Sequence, residues 1–174
     1  TENVGHISHD FYSINDSLKE FHFKANLISV EPKKFHNKEW NETDLIIDID
    51  LVKSALENSK KNEALVIRTL PNNEDKHNKN YSHSNAPYIT EEAIGWLNDF
   101  GIKHLLIDLP SVDRENDNGE LKAHRKFWNY PTNPILDKTI TELVFVNDSI
   151  KDGEYIMQIQ IISLENDASP SKPI

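Results

Sequence analysis

The sequence predicts a single α/β domain with a mixed sheet, on three observations. Short β-prone runs end at prolines or turn residues, amphipathic stretches lie between them, and the order strand, helix, strand occurs twice. Such alternation is typical of sheets with parallel strands, because parallel neighbours need a crossover connection. The 174 residues have 37% hydrophobic and 28% charged content, which fits one globular domain over residues 1–174.

The first strand and helix lie in the N-terminal third. Residues 25–30 (ANLISV) predict a strand that Pro32 closes, since proline cannot donate to a ladder. Apolar spacing then predicts a helix near residues 49–58, with Asp48 or Asp50 as its N-cap. The next β-branched run completes the first strand–helix–strand unit.

The second unit has the clearest signals. Residues 64–70 (ALVIRTL) predict a buried strand, and the polar stretch 72–86 predicts a loop. A helix then begins after its N-cap Thr90 and ends at Gly101, which suits a left-handed C-terminal cap. Residues 103–109 predict the closing strand.

The C-terminal third has weaker patterns. Residues 121–128 predict a short helix, and residues 141–146 and 155–164 predict two further strands. The tail, residues 169–174, is proline-rich. We find no internal repeat.

Charge and composition narrow the function classes. Nineteen basic and 29 acidic residues give a net charge of -10, which opposes binding to nucleic acid and to anionic membranes. There is no cysteine, so thiolate chemistry is excluded, and a reducing, cytoplasmic location is expected. We therefore expect a small-molecule substrate rather than a nucleic-acid or membrane partner.

The first residues could bind a metal. Glu2, His6 and His9 lie within reach of one another, and a mixture of carboxylate and imidazole suits Zn²⁺ or Mn²⁺. Spacing alone leaves a frayed polar terminus as the alternative.

Longer motifs strengthen the metal hypothesis. Residues 1–6 (TENVGH) match the last six positions of the signature H-G-T-H-x-D-x-P-x-H. Further segments similar to one family follow in order: VIRTL (66–70), LLIDLPSVD (105–113), LKAHRKFW (121–128), TELVFV (141–146), DGEY (152–155) and ENDASPSKPI (165–174). Together they resemble the cyclase family of metal-dependent hydrolases, best known through bacterial kynurenine formamidases.

The resemblance implies a metal centre and assigns its residues. One ion would be held by Glu2 and by two histidines that precede Thr1, and a second by Glu2, His6 and Glu142. His124 would be the catalytic general acid and base, a role that suits imidazole. Two divalent ions are implied, with zinc favoured over manganese.

The resemblance also implies a fold and a reaction. The fold would be the swivelling β/β/α type, lacking its N-terminal strands, in a homo-oligomer such as a dimer or tetramer. The reaction would be metal-dependent hydrolysis of an amide or formamide, with N-formylkynurenine giving kynurenine and formate in tryptophan catabolism. A different cyclic or aryl amide is the nearest alternative.

Two departures from the signature keep a non-catalytic metal-binding protein open. Glu2 replaces the usual aspartate, and Val4 stands where the signature has proline. Three further polar residues, Asp108, Ser111 and Asp113, follow a predicted strand. They could support the site, or they could form a polar turn with Asx-type hydrogen bonds.

Overall fold

A computed structural model describes residues 1–174. Nine strands and four α-helices follow along the chain: α1 (Ile14–Ser17), β1 (His22–Val30), β2 (Lys33–Asn37), β3 (Glu42–Ile47), α2 (Ile49–Ala55), β4 (Ala64–Thr69), β5 (Tyr88–Ile89), α3 (Glu91–Phe100), β6 (His104–Ile107), α4 (Lys122–Trp128), β7 (Thr139–Thr141), β8 (Gly153–Ile161) and β9 (Ser171–Pro173). Two 3₁₀ turns lie at Val4–His6 and Glu74–Asn78.

The strands form a large mixed sheet and a small one. The large sheet has the order β7-β6-β4-β1-β8-β9, with the first four strands parallel and β8 and β9 antiparallel to their neighbours. The small sheet has the order β2-β3-β5. The α/β class with a mixed sheet is therefore confirmed.

The first residues join the two edges of the large sheet. Glu2 forms bridges to Ile140 in β7 and to Ala168, which lies just before β9. The Glu2 N–H donates to the Ile140 carbonyl at 2.8 Å, and the Ser169 N–H donates to the Thr1 carbonyl at 2.9 Å. The sheet is thus nearly closed, and the alternative of a frayed terminus is wrong.

Apolar side chains fill both faces of the large sheet. Helices α2, α3 and α4 cover one face through a core of 21 buried residues, which includes the fully buried Phe127 and Trp128. A core of seven residues around Phe23 and Met157 lies on the other face. Each large side chain buried in this way stabilises the fold by about 1.5–3 kcal/mol.

Both predicted ends of α3 are confirmed, whereas α2 ends at Ala55, three residues before its predicted end. The Thr90 side chain accepts from the Ala93 N–H at 3.3 Å, and Gly101 ends α3 in the left-handed conformation with φ of 106°. Asp48, rather than Asp50, caps α2. No helix in the structure combines the length and the apolar character that crossing a bilayer requires.

Two parts of the sequence interpretation are wrong. The strand predicted over residues 141–146 is β7, which ends at Thr141, because Leu143 adopts a φ of 55° that breaks the extended backbone. The hairpin of β2 and β3 was missed. Strand β2 is exposed over nearly its whole length and charged, so it carries no apolar alternation.

Candidate metal centre

Three side chains from distant parts of the chain meet at one buried point. Ligand atoms of Glu2, His124 and Glu142 all lie within 4.8 Å of one another. His124 Nε2 is 3.0 Å from Glu2 Oε1 and 3.7 Å from Glu142 Oε1. We call these three residues the buried cluster.

The fold places each member of the buried cluster by backbone contacts. Glu2 lies on the seam that closes the large sheet, and Glu142 directly follows β7. The Glu142 carboxylate also accepts from the Val112 N–H at 3.1 Å. His124 lies in the first turn of α4, which packs against the sheet. The carboxyl end of the sheet and the start of a helix therefore face each other across the site.

Asp113 fixes both α4 and the His124 ring. Its Oδ1 accepts from the Ala123 N–H at 2.6 Å, and its Oδ2 lies 2.5 Å from His124 Nδ1. The residue at the N-cap position, Leu121, has no side-chain oxygen, so Asp113 replaces it as the cap. Because the carboxylate accepts, Nδ1 carries the proton and Nε2 faces the cluster.

Burial and charge shift the pKa values of two cluster members. Burial and the neighbouring Glu2 raise the pKa of Glu142 to about 7, against the opposing effect of His124. Burial would lower the pKa of His124, but its hydrogen bonds to Asp113 and Glu2 outweigh burial and raise the pKa to about 10. The buried cluster thus brings two carboxylates together with one imidazole between them.

His6 lies beside the buried cluster rather than in it. Its Nε2 is 3.4 Å from Glu2 Oε2, and its Nδ1 is 3.2 Å from Asp167 Oδ2. The His6 side chain is 50% exposed, whereas that of His124 is 4% exposed. His9 is exposed, and only its backbone has a polar contact, to Tyr130. Three of the four predicted site residues therefore meet, with His6 at the rim.

The three polar residues after β6 have different roles. Asp108 binds the Thr69 N–H at 2.9 Å and Lys76 Nζ at 2.7 Å. Ser111 accepts from the Asp113 N–H, as in a polar turn. Only Asp113 contacts the buried cluster. Of the two sequence interpretations, support of the site fits Asp113, and the polar turn fits Ser111.

The residues of the buried cluster suit a divalent ion. Glu2 and His124 are buried and Glu142 is half-buried, and imidazole nitrogen and carboxylate oxygen are ligand types that zinc and manganese bind. Burial and the nearby Glu2 carboxylate raise the pKa of Glu142, which indicates that the site lacks positive charge. Glu2, His124 and Glu142 are the residues that would hold such an ion.

Comparison with known families identifies the chain. A family model described as "Putative cyclase" matches residues 1–114, which is more than half of the sequence. The chain belongs to the cyclase family. A search of curated proteins finds no match for this cyclase-family chain.

Solved structures share the fold. One is titled a potential metal-dependent hydrolase with cyclase activity, with a TM-score of 0.70 and 17% identity over 99% of this chain and 74% of that one. A predicted metal-dependent hydrolase from Bacillus stearothermophilus gives 0.65 and 16%, over 99% and 72%. An isatin hydrolase bound to the product analogue thioisatinate gives 0.65 and 15%, over 99% and 68%. At these identities the likeness shows that the cyclase-family fold is shared.

Proposed function

We propose that this cyclase-family protein is a metal-dependent hydrolase that cleaves an amide or formamide. The observation that carries the proposal is the buried cluster of Glu2, His124 and Glu142, with the half-exposed His6 beside it. A bound divalent metal would polarise the carbonyl and supply a nucleophile stronger than water at neutral pH. Zinc is the first candidate and manganese the second.

Geometry favours an exchange of the roles that the resemblance assigns to the two histidines. His124 is buried, is held rigidly by Asp113, and directs Nε2 at both carboxylates, as a metal ligand does. We therefore propose His124 as a ligand and His6 as the acid–base residue.

His6 is suited to moving protons to and from a substrate. Its ring lies at the rim, where an incoming amide can reach it, and its Nε2 faces Glu2 at the edge of the buried cluster. His6 Nε2 would accept the proton of the attacking water as the new C–O bond forms. The same nitrogen would return that proton to the amine as the C–N bond breaks.

The substrate proposal has two candidates. N-formylkynurenine, which would give kynurenine and formate in tryptophan catabolism, rests on the resemblance to kynurenine formamidases. A cyclic aryl amide such as isatin is the second, because a structure with the same fold is an isatin hydrolase. A metal-binding protein without turnover is the remaining alternative. Homo-oligomeric assembly and a cytoplasmic location stay predictions.

Metal content and turnover of three alanine variants test the roles. We expect His124→Ala to lose bound metal and activity together. We expect His6→Ala to keep its metal but to lose roughly 10²- to 10⁴-fold in kcat, as for removal of a general acid–base group. His9→Ala is the matched control, because His9 is an exposed neighbour, and both quantities should stay unchanged.

The reverse result would restore the roles implied by the resemblance. If His124→Ala keeps stoichiometric metal and His6→Ala loses it, His6 is the ligand and His124 the acid–base residue. Assays with N-formylkynurenine and with isatin, after chelation and after addition of Zn²⁺ or Mn²⁺, would decide the substrate. Metal binding without hydrolysis of either amide would favour the non-catalytic alternative.

A further inference from the structure

We propose that Asp167, near the C-terminus, is a positioning residue that orients the His6 ring toward the buried cluster. The proposal rests on the proposed function, because it concerns the same site. Asp167 Oδ2 lies 3.2 Å from His6 Nδ1, while His6 Nε2 lies 3.4 Å from Glu2 Oε2. The ring is therefore held between two carboxylates that are 165 positions apart in the sequence.

The backbone around Asp167 is tied to the turn that carries His6. The Asn3 N–H donates to the Asp167 carbonyl at 3.0 Å, and the Ile14 N–H donates to the Asn166 carbonyl at 2.7 Å. These bonds lie next to the seam that closes the large sheet. The position of the Asp167 carboxylate is consequently set by main-chain contacts and does not depend on its bond to His6.

Close packing at Gly5 lets the two segments meet. A Cβ atom added at Gly5 would lie 3.0 Å from the Cβ of Asp167 and 2.8 Å from the Tyr12 carbonyl oxygen. Real Cβ atoms almost never approach backbone so closely, so a larger residue here would push the segments apart. The glycine before His6 thus brings Asp167 within reach of the ring.

A carboxylate can only accept hydrogen bonds, so Asp167 selects one form of the neutral His6 ring. In that form Nδ1 donates to Asp167, and Nε2 presents its lone pair to the site when a bound ion, rather than an Nε2–H group, occupies the Glu2 carboxylate. A half-exposed ring without this partner would sample other rotamers and the other tautomer. This orientation is needed whether His6 moves protons or binds the ion.

The contact would contribute little as a surface ion pair alone. The side chains of His6 and Asp167 are 50% and 29% exposed, and exposed pairs add little to stability. Partners that orient a site histidine have a larger effect on function, typically 10- to 100-fold. We therefore expect Asp167 to affect the site much more than the fold.

Nitrogen-15 NMR of the His6 ring in the zinc-loaded protein tests the orientation without any need for turnover. At fixed pH, the wild-type ring should show the tautomer with the proton on Nδ1. Asp167→Ala should mix the two tautomers, and Asp167→Asn, which retains an acceptor oxygen, should restore part of the preference. An unchanged tautomer in Asp167→Ala would overturn the proposal, even if the protein hydrolyses amides as proposed.

A double-mutant cycle tests whether Asp167 acts through His6. We expect Asp167→Ala to lower kcat by roughly 10- to 100-fold with KM and melting temperature nearly unchanged, and to have no further effect in a His6→Ala background. Glu165→Ala is the matched control, because Glu165 loses the same charge in the same segment and contacts Asn15 instead. An equal loss in the His6→Ala background would overturn the proposal.

If the wild-type protein hydrolyses no amide, the proposed function fails and the kinetic cycle has no signal. The NMR comparison of wild type, Asp167→Ala and Asp167→Asn then decides the positioning role by itself. If Asp167→Ala fails to fold, Asp167→Leu, which fills similar space without an acceptor, decides it: mixed tautomers support the proposal, and the wild-type tautomer overturns it.

Discussion

Two buried groups of charged residues in this molecule differ in how well their charges are balanced. Around Asp44, the guanidinium of Arg114 and the side chains of Asn37, Asn85 and Tyr88 all donate to one carboxylate. Around Glu142, a second carboxylate, Glu2, lies nearby instead. Both groups are well shielded from solvent, yet only one has a donor for nearly every acceptor.

The pKa values express the difference. Burial alone would raise the pKa of Asp44, but its donors, with Arg114 first, lower it to about 2. Burial and Glu2 together raise the pKa of Glu142 to about 7. A buried carboxylate that receives hydrogen bonds from a cation and several donors stabilises the fold. A buried group that lacks positive charge is instead a candidate for binding and chemistry. Burial by itself therefore does not identify the site.

Removing Arg114 should have the largest effect on stability. The Arg114 side chain is 6% exposed, and its loss leaves the fully buried Asp44 without a counter-charge. We expect Arg114→Ala to lower the free energy of unfolding by about 3–5 kcal/mol. Urea denaturation measures it, and metal stoichiometry of the remaining folded protein should be unchanged. If Arg114→Ala instead lost its metal at unchanged stability, the group around Asp44 would be the metal site and not a structural one.

In the metal-free protein, replacing Glu142 by Gln should raise the free energy of unfolding rather than lower it. The folded pKa of about 7 lies above the ordinary 4.5, so wild-type stability falls as pH rises from 4.5 through 7. Glu142→Gln removes this loss, so at pH 8 the metal-free variant should be more stable by up to about 3 kcal/mol, at 1.36 kcal/mol per pKa unit. Thermal unfolding at pH 4 and pH 8 measures it. Equal stability of variant and wild type at pH 8 would contradict the account.

Replacing Asp113 by Asn should have a smaller effect, which is confined to the affinity for the metal. Asn can still accept from the Ala123 N–H but no longer provides a carboxylate for His124 Nδ1. We expect metal affinity to fall by roughly 10- to 100-fold, with little change in helix content. Competition with a chelating dye measures the affinity. Asp16→Asn is the control, since it makes the same change at an exposed carboxylate that contacts only Lys19.

Sequence alone predicted the elements whose signals are local. Helix α3 has its N-cap Thr90 and its C-cap Gly101 within twelve residues, so both ends could be located. Strand β2 could not, because its exposed positions lack alternation. The strand after Thr139 was placed too far along, since nothing in the sequence indicates the positive φ of Leu143.

The site was predicted in its residues but not in its arrangement. Glu2, His6, His124 and Glu142 came from the resemblance to the cyclase family, and the structure brings three of them together. Which histidine faces both carboxylates depends on the closure of the sheet by Glu2, a contact across more than 130 positions. Residue spacing in the sequence does not reveal such a contact, so the roles of the two histidines could be assigned only from the fold.

A crystal structure of the protein with Mn²⁺ or Zn²⁺, phased on the anomalous signal of the ion, would show which histidine binds the metal. We expect an anomalous peak bonded to Glu2, His124 and Glu142 at about 2.0–2.2 Å, with His6 outside bonding distance. A peak bonded to His6 and Glu142 with His124 free, or no peak at the buried cluster at saturating metal, would contradict this expectation.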